Sequence, residues 1–283
     1  MSKVSTGTVT KPFLRWAGGK TWLIKFLSQI LGDTNFRQYH EPFLGGGSIF
    51  FTLSPKKESF LSDLNQELVD TYQSIKDNPS AVIDTLRLYE NTPEFYYKIR
   101  SQIPVNYFEK AARFIYLNQT SFNGIYRVNQ RGEYNVPFGY RSKNFLEEDK
   151  LIAASKSLQN ATITCGDFTC NKMKIQEGDL IFLDPPYTVS HNNNGFIKYN
   201  QKLFSIEDQK RLSKFINFIK NKGAYYILTN AAHQTIKDLF EKGDTRLELS
   251  RASLIGGDNA KRGKVYEYIF TNIPGGQKNE LYG

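Results

Sequence analysis

The stretch Asp179–Tyr187, "DLIFLDPPY", decides the fold. Leu180–Leu183 is an unbroken apolar run, the pattern of a strand covered on both faces in the middle of a parallel sheet. It ends in a carboxylate and two prolines, neither of which can donate to a sheet ladder. Ligands of open α/β sheets bind beyond the carboxyl ends of the strands, and Asp184 stands at such an end. Each proline holds its own φ and biases the residue before it towards extended geometry. The Asp184 carboxylate and the Pro185 carbonyl are therefore pre-aimed acceptors, with Pro186 as a stiff spacer, and Tyr187 offers a flat face to a planar partner.

Outward from this strand, short apolar runs recur at Tyr39–Leu44, Ser59–Leu64, Ala161–Cys165, Ala224–Thr229, Arg246–Leu249 and Val265–Asn272. Helical patterns lie between several of them, at Thr21–Leu31, Asn65–Lys76 and Ile206–Asn221. In the last, Leu212, Phe215, Ile216 and Ile219 share one face. Strands alternating with helices predict an α/β fold with a mostly parallel, doubly wound sheet. The alternation stops at Asp77-Asn78-Pro79. Three helical patterns follow (Ser80–Tyr89, Pro93–Arg100, Tyr107–Asn118), then an irregular polar stretch. Residues 77–158 read as an inserted, mainly helical domain, residues 11–76 and 159–283 as the main domain, and residues 1–10 as a flexible tail.

The 283 residues carry 37 Lys and Arg against 28 Asp and Glu, a net charge of +9, which points to a polyanionic partner. Nothing approaches the ~18 apolar residues of a membrane span, and the N-terminus lacks the apolar centre of a secretory signal. Cys165 and Cys170 match no CxxC pattern, and with 3 histidines they predict no metal site. A reduced, cytoplasmic protein is the expectation.

"EPFLGGGSIFF", Glu41–Phe51, ends a strand and opens a helix, and its glycines let backbone approach a ligand closely. Gly45 and Gly47 are in place for a dinucleotide fingerprint, but Phe50 stands where the third glycine belongs, which argues against a pyrophosphate site. Asp63 in "SDLN" ends the next strand, where a carboxylate can accept from ribose hydroxyls or cap the following helix. In "RWAGGKTW", Arg15–Trp22, Leu14 occupies the first-glycine position of a phosphate loop, so that motif is rejected. The Gly-Gly turn there lets Lys20 reach a carboxylate and sets Trp16 against a flat group.

Acceptors beside a stacking plane, without a strong base, suit an exocyclic amino group on an aromatic base. That nitrogen is a poor nucleophile because its lone pair is delocalised. Acceptors on its two N–H groups favour the positively charged form that develops as it attacks. A sulfonium methyl is a fitting electrophile. S-adenosyl-L-methionine carries one, together with an adenosine for Asp63 and a carboxylate for Lys20.

"KPFLRWAGGK", "EPFLGGGSIFF", "SDLN" and "DPPY", in this order around an inserted domain, resemble the Dam family of DNA adenine-N6 methyltransferases. "SFNGIYRVNQRGEYNVPFGYRSKNF", Ser121–Phe145, is similar to that family's DNA-recognition segment. The likeness implies a Rossmann-like class I methyltransferase sheet, mostly parallel with an antiparallel C-terminal strand. It also implies S-adenosyl-L-methionine as donor, double-stranded DNA as partner, and usually GATC as target. A cognate restriction endonuclease is left open as a partner in function rather than in contact. Cofactor contacts are implied at Trp16, Lys20, Phe43, Asp63 and Asp184, with Gly45 and Gly47 in the turn and Asp167-Phe168 beside the adenine of the donor. Asp184 and Tyr187 would hold the target adenine, flipped from the duplex because a stacked base cannot reach them. Arg127 would read a guanine, Ile125 and Pro137 a thymine methyl, and Phe122-Asn123 would lie near the opened pair. Arg15 replaces the family's frequent lysine, and either cation can contact guanine. Asn129, Arg141, Lys198, Lys261 and Arg262 complete the expected DNA contacts, and Ser190–Asn200 reads as a loop closing on the flipped base. Cytosine-N4 or RNA-base methylation and a catalytically dead DNA-binding protein are the competing readings. A zinc deaminase is disfavoured because its motif pair is missing.

Overall fold

In a computed structural model, residues 10–187, 204–252 and 264–274 are described. The strands are β1 (Tyr39–Glu41), β2 (Ser59–Asp63), β3 (Ala161–Cys165), β4 (Leu180–Leu183), β5 (Tyr225–Ala231), β6 (Thr245–Ala252) and β7 (Lys264–Thr271). They form a seven-stranded sheet in the order β3-β2-β1-β4-β5-β7-β6. The pairs β1–β4, β2–β3 and β4–β5 are parallel, whereas β7 runs antiparallel to both β5 and β6. The strand order reverses between β1 and β4, the switch point at which such sheets take ligands. The expected α/β class and reversed C-terminal strand are both present.

Among the described residues two compact units are distinguished. One comprises Met1–Thr21 and Leu44–Cys170. It holds β2 and β3 with the helices α2 (Ser48–Leu53), α3 (Gln66–Asp77), α4 (Pro79–Arg87), α5 (Pro93–Ser101), α6 (Tyr107–Thr120) and α7 (Glu148–Leu158). Asn65 caps α3 by accepting from Leu68 N–H, and Asn78 caps α4, with Pro79 at its first turn. Pro79 costs nothing there, because that N–H has no intrahelical partner in any helix. Val82, Ile83 and Leu86 of α4 and Ala111, Ala112 and Ile115 of α6 are buried, as the helical spacing requires.

The other unit, Trp22–Phe43 with Asn171–Gly283, holds β1, β4, β5, β6 and β7. Its helices are α1 (Ile24–Leu31), α8 (Ile206–Asn221) and α9 (Gln234–Phe240). A reciprocal Ser205–Asp208 capping box starts α8, and Leu212, Phe215, Ile216 and Ile219 are buried along it. Each such side chain contributes roughly 1.5–3 kcal/mol over leaving it in water. The helix expected from Thr21 opens instead as a 3-10 turn, Thr21–Leu23, and α1 starts without a side-chain cap at Leu23. Tighter 3-10 bonding is a common way to begin a helix whose first N–H groups lack a cap. β1 stops at Glu41, one residue before Pro42, which has no N–H to continue the ladder.

All four residues of β4 are buried. At its amino end lies Asp179, fully buried, accepting from His40 Nε2 at 3.1 Å, Arg37 Nε at 3.0 Å and Gln176 N–H at 2.9 Å. Burial alone would raise its pKa, but the His40, Gln176 and Arg37 hydrogen bonds outweigh it and hold the carboxyl below its ordinary value.

Candidate active site

At the carboxyl end of β4 the chain turns through Asp184-Pro185-Pro186-Tyr187. Thr229, in the neighbouring parallel strand β5, is fully buried and donates its hydroxyl to Asp184 Oδ1 at 2.7 Å. One carboxylate oxygen is thereby oriented from beneath. Tyr187 donates its phenol O–H to Oε2 of Glu267 on β7, a carboxyl group only 1% exposed. Burial, with Glu267 and Asp184 nearby, pushes the Tyr187 pKa well above its ordinary value, so the phenol stays a donor. Phe43, just past the end of β1, meets Phe204 edge-to-face with ring centres 5.6 Å apart. Within this unit the sheet brings together an oriented carboxylate, a rigid proline pair and an anchored aromatic ring.

In the other unit, Leu44–Gly47 makes a tight turn after β1, closed by Gly47 N–H on Leu44 C=O at 2.7 Å. Gly45 and Gly47 both have positive φ, +47° and +66°. A Cβ on Gly45 would lie 2.7 Å from the Trp16 ring, so the turn takes glycine there for two reasons at once. Trp16 stacks on Tyr126 (5.8 Å) and Phe114 (6.4 Å). Asp63, at the end of β2, accepts from Gly45 N–H at 2.9 Å and Asn65 N–H at 3.0 Å. Its pKa is raised by burial, against the pull of the Asn65, Gly45 and Leu64 N–H groups. The native state therefore holds that proton longer than the unfolded chain does. Ionising Asp63 costs stability as pH rises from the ordinary carboxylate value through the raised one. Lys20 is buried, its Nζ donating to Gly18 C=O at 2.7 Å and its N–H to Ser48 Oγ at 3.2 Å. Asp167 Oδ1 accepts from both the N–H and the hydroxyl of Thr169, and Phe168 is buried.

The segment Ser121–Phe145 folds back on itself through bridges at Ser121–Phe138 and Val128–Tyr134. Asn123 and Gly124 both have positive φ, +54° and +63°, which leaves Phe122 standing out at 53% exposure. Asn123, Arg127 and Pro137 are exposed, and Ile125 and Arg141 partly so. Arg127 is aimed by Asn135, whose Oδ1 accepts from Nε at 2.7 Å and whose C=O accepts from Nη2 at 3.2 Å. The Asn129 side chain builds the hairpin turn, accepting from Arg131 and Glu133 N–H and donating to Glu133 Oε2. Asn118 of α6 ties Arg15 to this segment: it accepts from Arg15 N–H at 2.8 Å and donates to Arg15 C=O at 2.7 Å and to Gly124 C=O at 3.4 Å. Burial and the Arg141 guanidinium nearby lower the Arg15 pKa. Lys198, Lys261, Arg262 and the Ser190–Asn200 loop lie outside the described residues.

Asn118, Thr229 and Glu267 escaped the sequence reading. For Glu267 there was a signal: in "VYEYIF" it stands at the alternate position to Ile269, a carboxylate in register with an apolar residue. Asn118 and Thr229 carry no such mark, since their partners are distant in the chain.

The strand order, the reversed last strand and the carboxylate–proline–proline–aromatic end of a central strand together define a class I methyltransferase. The chain belongs to the D12 class N6 adenine-specific DNA methyltransferase family, whose model matches residues 16–253. It is 33% identical over 274 residues to a type II methyltransferase, M1.LlaDCHI, of Lactococcus lactis subsp. cremoris, covering 93% of this chain and 95% of that one. It is 34% identical to the type II methyltransferase M.MjaIII of Methanocaldococcus jannaschii, over 93% of this chain and 99% of the relative. A DNA adenine methylase of Haemophilus influenzae is 29% identical, over 92% of each chain. The protein is thus an enzyme of adenine-N6 DNA methylation. Among the described residues no helix is long and apolar enough to cross a membrane, and no cluster of His, Cys, Asp or Glu suited to a metal ion is found.

Proposed function

We propose that the enzyme takes its methyl group from S-adenosyl-L-methionine and delivers it to N6 of an adenine flipped out of duplex DNA, within GATC. The observation that carries this reading is the Asp184 carboxylate, held at the tip of a buried strand by Thr229 and flanked by a proline-stiffened carbonyl. Asp184 and the Pro185 carbonyl accept from the two amino N–H groups, which readies the nitrogen lone pair and stabilises the positive charge it acquires. Tyr187 stacks on the base. When bound, the donor supplies an electrophilic methyl on a sulfonium.

The residues present suit that donor. Asp63 keeps acceptor capacity beyond its backbone donors, because a carboxylate has about four acceptor sites, and it stands at the end of β2 where a ribose would meet it. Lys20, a buried ammonium beside the glycine turn, pairs with the carboxylate of the donor. Trp16, Phe43, Gly45, Gly47 and Asp167-Phe168 complete the expected contacts.

Residues 77–158 act as the target-recognition domain on this reading, with Phe122 and Asn123 at the opened base pair, Ile125 and Pro137 on a thymine methyl, and Asn129 shaping the turn. Arg15 and Arg141, two guanidinium groups close enough to depress the Arg15 pKa, gain from an electron-rich partner such as guanine or a phosphate. Arg127 reads guanine O6 and N7, and the resemblance of its segment to the family's recognition stretch is what supports GATC.

Arg127→Ala is expected to lower discrimination between GATC and sites altered at the guanine by about 1–3 kcal/mol. Methylation rates on a set of single-base variant duplexes measure it. Equal discrimination in wild type and variant would remove Arg127 from the readout. The function as a whole is tested by expressing the full chain in a host lacking adenine methylation and mapping modified bases by single-molecule sequencing. N6-methyladenine confined to GATC supports the proposal. A different motif would overturn the target, and an unmodified genome would overturn the activity.

A further inference from the structure

The Tyr187–Glu267 contact asks for an explanation. Burying a carboxyl group costs several kcal/mol unless it is well partnered, and a sheet interior at that position could hold an apolar residue as its neighbour Ile269 does. The placement is specific. β7 is separated from β4 by β5, and Glu267 lies opposite Ala231, the last residue of β5. Because β7 runs antiparallel, its early residues stand at the same edge as the carboxyl ends of β4 and β5. Glu267 is therefore brought beside the strand end that carries Asp184-Pro185-Pro186-Tyr187, and the Tyr187 hydroxyl reaches it.

We propose that Glu267 is a positioning residue: its carboxyl group accepts the Tyr187 O–H and so holds the ring in the plane that stacks on the flipped adenine. This rests on the functional reading given above. A tyrosine ring has two side-chain torsions, and the prolines before it restrain only its backbone. An acceptor at the far end of the ring removes the remaining swing. Tyr187 is pinned at both ends, by Pro186 and by Glu267. Thr229 on β5 holds Asp184 and also reaches the Tyr187 hydroxyl, and Glu267 on β7 takes the phenol proton, so both strands secure the side chains that meet the base.

The test uses the full-length chain, tritiated S-adenosyl-L-methionine and unmethylated genomic DNA under single-turnover conditions, with donor affinity measured separately. Glu267→Ala and Tyr187→Phe should each slow methyl transfer about tenfold, the size of one lost hydrogen bond at its upper range, with donor affinity unchanged. The double variant should be no slower than Tyr187→Phe, because loss of the phenol already removes the contact with Glu267. Glu267→Gln, whose amide oxygen can still accept the phenol proton, should recover to within about threefold of wild type. A merely structural role would move thermal stability with no shared loss and no rescue. Should Glu267→Ala misfold, Glu267→Asp, whose shorter side chain draws the carboxylate back from the phenol, takes its place, and Tyr187→Phe removes the contact from the other side. Full activity in Tyr187→Phe, or additive losses in the double variant, would overturn the inference while Tyr187→Ala still loses transfer. Wild-type turnover by Tyr187→Ala would instead overturn the stacking role on which it stands, and with it the inference.

Discussion

Asp184→Ala is expected to lower the rate of methyl transfer by roughly 10²–10³-fold, the cost of removing one preorganised electrostatic contact from a developing charge. The amino nitrogen of adenine would keep the Pro185 carbonyl but lose the acceptor that carries charge. The fold should survive. Thr229 loses its 2.7 Å acceptor but has Leu183 C=O at 3.4 Å as an alternative, so the stability loss is about 1 kcal/mol. Asp184→Asn separates charge from geometry. Its amide keeps one acceptor oxygen for the base while its NH₂ turns to Thr229 Oγ, which can accept, and an intermediate loss is expected. Single-turnover assays with thermal unfolding as a control measure both. A near wild-type rate for Asp184→Ala would remove the residue from the chemistry.

The second large effect lies at the other end of the same strand. Asp179→Ala should destabilise the protein by about 3 kcal/mol, because it leaves the buried His40 ring nitrogen without its acceptor, frees the Gln176 N–H and takes the carboxylate from Arg37, which keeps only Gln38 Oε1. Transfer by the molecules that remain folded should be little changed, since this cluster is at the amino end of β4 and Asp184 at the carboxyl end. The pH dependence follows from the lowered Asp179 pKa. The unfolded chain holds the proton more tightly, so the stabilisation is complete above the ordinary carboxylate value, about 4, and is lost as pH falls through the depressed one. The gap between wild type and Asp179→Ala in urea unfolding should therefore narrow in acid. A gap that stayed constant down to the depressed value would show that the carboxyl charge contributes nothing.

These two aspartates show how far a one-dimensional reading reaches. Both bracket an apolar run, and only Asp184 is followed by prolines, which marks it in the sequence as a candidate for the site. Nothing next to Asp179 in the chain shows its partner; the parallel register Tyr39–Leu180 and His40–Ile181 brings His40 to it. The same holds for Ser121–Phe145. Its glycines, its asparagines and Arg127 were legible, but the Asn118 clamp on Arg15 joins residues 103 positions apart and has no local signature. Trp16 packs on Tyr126 and Phe114, which lie 110 and 98 positions along the chain and which the residues around Trp16 give no sign of.

What the amino-acid sequence by itself determined is everything set by short-range sterics and solvation. An apolar tetrapeptide must be a covered strand, prolines must end it stiffly, and a glycine turn must open α2. Only the tertiary structure decided which distant groups complete those local pieces: Thr229 under Asp184, Glu267 on Tyr187, His40 and Arg37 on Asp179, Gly45 N–H on Asp63. The physical reason is that a buried polar group requires a partner, but which one it meets depends on strand order and register, and these come from packing the whole sheet rather than from any one stretch of chain.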